Sequence, residues 1–62
     1  MKKKYTLVGV DGNAYAIMAY VHSALVNEGM SNKVDEYYKA ATASDYHHLL
    51  VVSQHYISKA NG

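Results

Sequence analysis

Lys3-Lys4-Tyr5-Thr6-Leu7-Val8-Gly9-Val10, running into Asp11-Gly12-Asn13, is the stretch on which the fold turns. In an extended chain Tyr5 and Leu7 point one way, and Thr6, Val8 and Val10 the other. With β-branched residues well represented, residues 3–10 read as a strand. The glycines and the Asp/Asn pair then break the pattern, and Asp11 or Asn13 is placed to cap a helix beginning at Ala14.

That helix extends from Ala14 to Asn27. One stripe along it is formed by Ala14, Met18, Val21 and Leu25, widened by Ile17 and Ala24. A second apolar face carries Tyr15, Ala19 and Val26, with His22 among them. A helix that is apolar almost all round must be covered on nearly all sides. Gly29 closes it, as the residue type that a left-handed cap favours. Ser31 or Asn32 can cap a second helix, in which Val34, Tyr37, Tyr38 and Ala41 form a clean stripe while Asp35, Glu36 and Lys39 face water. That helix ends near Thr42. Ser44 or Asp45 starts a third, running to about Ser58, with Tyr46, Leu49, Leu50, Ser53, Tyr56 and Ile57 on its apolar side, broadened by Val51 and Val52. Ala60-Asn61-Gly62 reads as a fraying end.

The expected class is therefore α+β, mostly α: one N-terminal strand followed by three helices (βααα), in a single domain over residues 1–62. A lone strand cannot satisfy its own N–H and C=O groups. No second strand candidate exists, so the economical partner is the same strand of another copy across a two-fold axis. The sheet edge of a target protein is the other candidate. Tyr5, Leu7, Tyr15, Ala19, His22 and Val26 are accordingly the candidate dimer interface.

Size and composition point the same way. A chain of 62 residues buries only about 60% of its unfolded surface and needs reinforcement. With no cysteine, disulfides, thiolate zinc sites and cysteine nucleophiles are excluded. Seven tyrosines stand beside no phenylalanine and no tryptophan; a ring that is apolar at one end and polar at the other suits boundary and interface positions. A net charge of +1 without arginine argues against nucleic acid, whose binders carry clustered Lys/Arg; Lys2, Lys3 and Lys4 read as a solvated tail. The apolar stretch behind these lysines is too short for a signal peptide and is interrupted by Asp11. The later run from Ala14 to Val21 is far below the roughly 20 residues that span a bilayer. The expected setting is cytoplasmic, without a membrane.

Two places could carry chemistry. Asp11, Gly12 and Asn13 lie where a helix N-terminus can meet an anion, but the spacing is neither a Walker A loop nor a dinucleotide fingerprint. A turn and cap is the plainer reading, and a small ligand or nucleotide the alternative. Asp45, His47 and His48 open the third helix. His47 and His48 diverge by about 100° on a helix, and no histidine pair has the zinc-chelating i, i+4 spacing, so neither a metal nor another cofactor is expected. Asp45 and His48 can form a helical pair. With no nucleophile elbow and little room for a pocket, an enzyme is not expected.

Val10-Asp11-Gly12-Asn13-Ala14 and Ser44-Asp45-Tyr46-His47-His48-Leu49-Leu50 together resemble a group of short uncharacterised bacterial and phage proteins. Those proteins share a strand ending V-D-G-N-A, an apolar helix, a Gly turn and a late G-D-Y-D-H-L-L segment. The likeness spans about Val8 to Tyr56 and departs at Ser44, where the group has glycine, and at His47, where it has an acid. It implies no catalytic residue. It implies a setting in phages, prophages or other mobile elements, where such small proteins bind and block a host factor. Joined to the dimer expected from the first helix and the lone strand, the expectation is a homodimeric interaction protein that binds a host protein, such as an inhibitor of an anti-phage defence system.

Overall fold

Asn13, as the cap of the first helix, anchors the architecture: its Oδ1 accepts from the Tyr15 N–H at 2.8 Å. The computed structural model describes residues 4–62. They form α1 (Ala14–Asn27), a 3-10 turn (Ser31–Lys33), α2 (Val34–Ala41) and α3 (Tyr46–Asn61). Lys2 and Lys3 of the basic tail lie outside the described residues.

α1 ends in a full Schellman arrangement. Gly29 takes φ +74°, the Met30 N–H reaches the Leu25 carbonyl at 2.7 Å, and the Gly29 N–H reaches the Val26 carbonyl at 3.1 Å. A side chain at Gly29 would meet nothing nearby, so the strain of the left-handed backbone alone sets the cost of replacing it. Gly29→Ala is expected to destabilise the domain by about 1–2 kcal/mol. Denaturant unfolding with an unchanged slope would measure this. α2 has no side-chain cap; the 3-10 turn leads into it, and Asp35 and Glu36 in its first turn complement the helix dipole. Asp45 caps α3 by accepting from the His48 N–H at 3.0 Å.

The core is shared by all three helices: Val21, Ala24 and Leu25 of α1, Tyr37 and Ala41 of α2, and Leu49, Tyr56, Ile57 and Ala60 of α3. Ser53 is the buried polar residue, and its Oγ lies 2.7 Å from the Tyr37 hydroxyl. α3 lies across both partners. The molecule measures 31 × 26 × 15 Å. Its thinnest dimension matches the backbone of about two packed helix layers, and α1 keeps one side exposed, at Tyr15, Ala19, His22 and Val26.

The expected strand does not form, and the βααα class is corrected to three helices preceded by an irregular arm. Among the described residues there is no strand. Several of the arm's backbone groups find partners within the chain, mostly side chains, in place of a second strand. Asn61 Oδ1 accepts from the Lys4 and Tyr5 N–H groups at 3.0 and 2.9 Å, while Asn61 Nδ2 donates to the Tyr5 carbonyl at 2.9 Å. The Thr6 N–H donates to the Tyr20 hydroxyl at 3.0 Å, and the Val8 N–H to Thr6 Oγ1 at 3.2 Å. Leu7 to Val10 close a turn, with the Val10 N–H on the Leu7 carbonyl at 3.2 Å and Gly9 at φ +86°. That is the position at which a type II turn takes glycine. The antiparallel ribbon between two copies falls with the strand. Tyr5 and Leu7 instead pack half-buried on their own core.

The third helix also runs further than expected. Its last turn reaches Asn61, and Ala60 is buried rather than frayed, because Asn61 is tied to the arm.

Candidate functional site

At one end of the molecule the fold gathers the two sequence candidates. The Tyr46 hydroxyl donates to the Gly12 carbonyl, so the Asp11-Gly12-Asn13 turn and the start of α3 adjoin. Asp11, Asn13 and Asp45 each engage one side-chain oxygen within the fold. Asp11 Oδ1 accepts from the Asn13 N–H at 2.9 Å, Asn13 Oδ1 caps α1, and Asp45 Oδ1 caps α3. His48 turns inward, with Nε2 2.8 Å from the Ala40 carbonyl; His47 is exposed. Below them runs a groove of about 280 Å³, floored by Ala14, Met18, Ala41 and Leu49 and edged by Ser44 and Asp45. Sequence reasoning did not single out this groove, since it is made where the loop after α2 passes α1. No group of three or more potential metal ligands occurs among the described residues.

The other gathering is on α1. Tyr15, Ala19, His22 and Val26 all lie on the exposed side of the helix. Tyr15 is 79% and Val26 47% exposed. Ala19, His22, Ser23, Val26 and Asn27 of α1, with Tyr38 of α2, border an open groove of about 360 Å³. In it the His22 ring stands edge-on to Tyr38, with Nδ1 3.1 Å from the Tyr38 hydroxyl. From Ala14 to Asn27 the helix carries no Asp, Glu, Lys or Arg.

Tyr5, the remaining aromatic interface candidate, is tied at both ends. Its hydroxyl donates to Glu28 at 2.8 Å, and the Lys4 ammonium also reaches Glu28, at 3.2 Å. The hydrogen bond to this carboxylate holds the Tyr5 phenol above its ordinary range. The same hydrogen bond, followed by that from Lys4, holds the Glu28 carboxyl below its own.

Six of the seven tyrosines use the hydroxyl inside the fold: Tyr5 on Glu28, Tyr20 from Thr6, Tyr37 with Ser53, Tyr38 with His22, Tyr46 on Gly12 and Tyr56 on Glu36. Tyr15 is the exception among the described residues. No family model, no curated protein and no solved structure matches the chain. No helix among the described residues is long and apolar enough to cross a membrane.

Proposed function

We propose that this chain is a small homodimeric interaction protein that pairs through the exposed face of α1 formed by Tyr15, Ala19, His22 and Val26. The observation that carries the reading is Tyr15: a large aromatic left in solvent, with its hydroxyl free for a partner, on a helix whose outer face bears no charge. Tyrosines of this kind anchor interfaces, because they combine contact area with a polar tip. A charge-free face meets its own copy without like-charge repulsion, and antiparallel pairing also opposes the two helix dipoles. The small size of the domain supplies the need. The partner beyond the second copy is a host protein and the setting is a phage or prophage, a part of the proposal that rests on the resemblance of the Val10–Ala14 and Ser44–Leu50 segments. The role is binding, as an inhibitor of a host defence protein, rather than catalysis. The ligand-binding alternative gains nothing from the geometry, because the Asp11 and Asn13 acceptors serve their own backbone.

Light scattering at micromolar concentration tests the dimer, and a monomer there would sink it. Ala19→Asp places a carboxylate at the centre of the face without touching the core. It is expected to weaken self-association by about a hundredfold or more, since burying an unpaired charge costs several kcal/mol, while the helical signal stays intact. Expression beside candidate defence systems, followed by phage plating, tests the inhibitor; unrestored plating would count against it.

A further inference from the structure

We propose that Asn61 is a site of spontaneous deamidation whose reaction is held back by the folded arm and, once complete, releases that arm. Two independent observations meet at this residue. Asn61 is followed by Gly62, the one Asn-Gly pair in the chain; Asn13, Asn27 and Asn32 are followed by Ala, Glu and Lys. A glycine on the C-terminal side leaves its amide nitrogen unshielded, which is the least hindered setting for attack on the asparagine side chain. The same Asn61 side chain is the clasp of the arm, accepting from Lys4 and Tyr5 and donating to the Tyr5 carbonyl.

The reaction is ring closure followed by hydrolysis. The Gly62 nitrogen attacks Asn61 Cγ and a new N–C bond forms. The Cγ–Nδ2 bond breaks, and Nδ2 departs as ammonia with the proton that Gly62 gave up. Water then opens the five-membered imide at either carbonyl, giving aspartate or isoaspartate. In the closed state both reacting groups are engaged. The Gly62 N–H donates to the Lys59 carbonyl at 3.2 Å, and the amide is fixed by three hydrogen bonds that turn it toward the arm. Attack therefore requires the clasp to open.

Either product weakens the clasp. Aspartate faces the Tyr5 carbonyl with an oxygen where Nδ2 had donated. Isoaspartate routes the main chain through the former side chain and leaves a carboxylate on Cα, too short to span to the arm. Tyr5 and Leu7, which pack on the core, lose their backbone tether and are held by the bonds to Glu28 and Tyr20 alone, so the Lys4–Tyr5 bond becomes more open to proteolysis.

Peptide mapping of the 62-residue chain at mildly alkaline pH, folded and in urea, tests this. Conversion at Asn61 should exceed that at the other three asparagines in urea. It should be roughly tenfold or more slower in the folded chain, as expected for a reaction gated by local opening. Tyr5→Ala, which loosens the arm but leaves Asn61-Gly62 untouched, should bring the folded rate toward the urea rate. Chain that has converted should be cut by trypsin after Lys4 faster than fresh chain, whereas Gly62→Ala should convert slowly and keep its resistance. Equal rates folded and unfolded, or undiminished protection of Lys4 after conversion, would overturn the proposal.

Discussion

Replacing Tyr37 with alanine is expected to leave the domain unfolded at ordinary temperature. Tyr37 is fully buried and sits where all three helices meet, with its ring against Tyr38 and Tyr56. Deleting a large buried aromatic costs about 3–5 kcal/mol through lost transfer energy and the cavity left behind. A domain of this length has only about 3–9 kcal/mol in total, at the usual stability per residue. The substitution also strands the buried Ser53 hydroxyl, which has Tyr37 as its partner. Smaller changes separate the two contributions. Tyr37→Phe keeps the ring but orphans Ser53 and should cost about 1–3 kcal/mol, and Ser53→Ala, which orphans the phenol, should cost a similar amount. The double variant removes both polar groups and should cost less than the two singles together. Chemical denaturation of the four chains measures the cycle; additive costs would show that the hydroxyls do not depend on one another.

Alkali should unfold the protein cooperatively between about pH 10 and 12, where ordinary tyrosines begin to ionise. Tyr56 is pushed up to about 12, by burial first and then by the Glu36 carboxylate that its hydroxyl meets at 2.7 Å. Burial also raises the Tyr37 phenol, and the hydrogen bond to Glu28 raises that of Tyr5. Each pKa is higher in the folded chain than in the unfolded one, so the fold favours the protonated form. Stability from this source is complete below the unfolded value of about 10 and is lost as pH climbs toward the folded values. Several tyrosines losing protons together make the loss steep. Helical circular dichroism and phenolate absorbance should therefore change in a single transition. Tyr56→Phe should make that transition shallower, because one fewer proton is released on unfolding. Full phenolate absorbance with the helical signal intact would contradict this coupling.

The helices are legible in the sequence because their signals are local. Asn13, the apolar spacing and Gly29 bound α1 at the residues where it lies, and Asp45 does the same for the start of α3. Residues 4–10 mislead for an equally physical reason. Alternating apolar residues mark any extended segment with one side on a core, whether or not it joins a sheet. What decides between arm and strand is where the backbone hydrogen bonds go, and here they go to Asn61 and Tyr20, far away in sequence. Gly9 is the one local warning, since a glycine inside an apparent strand often marks a bend. On α3 the apolar spacing predicts Tyr46 and Val51 on the buried side, yet both are exposed; a stripe that wide exceeds what α1 and α2 can cover. The exposed α1 face is visible in the sequence as a surplus of apolar residues. Which tyrosine on it is left without a hydroxyl partner depends on tertiary contacts.

Those six tied hydroxyls also set the alignment of the helices along their axes. Leucine or phenylalanine in the same places would tolerate one helix sliding along another by a turn of about 5.4 Å, because apolar surfaces are interchangeable at that step. A phenol must end within hydrogen-bond reach of one particular oxygen or nitrogen. Tyr37 on Ser53 and Tyr56 on Glu36 fix α2 against α3, Tyr38 with His22 fixes α2 against α1, and Tyr46 on Gly12 ties α3 to the entry of α1. A sliding step would break several of these at once, so an all-tyrosine set of aromatics gives this small domain one registration in place of a family of near-equivalent ones.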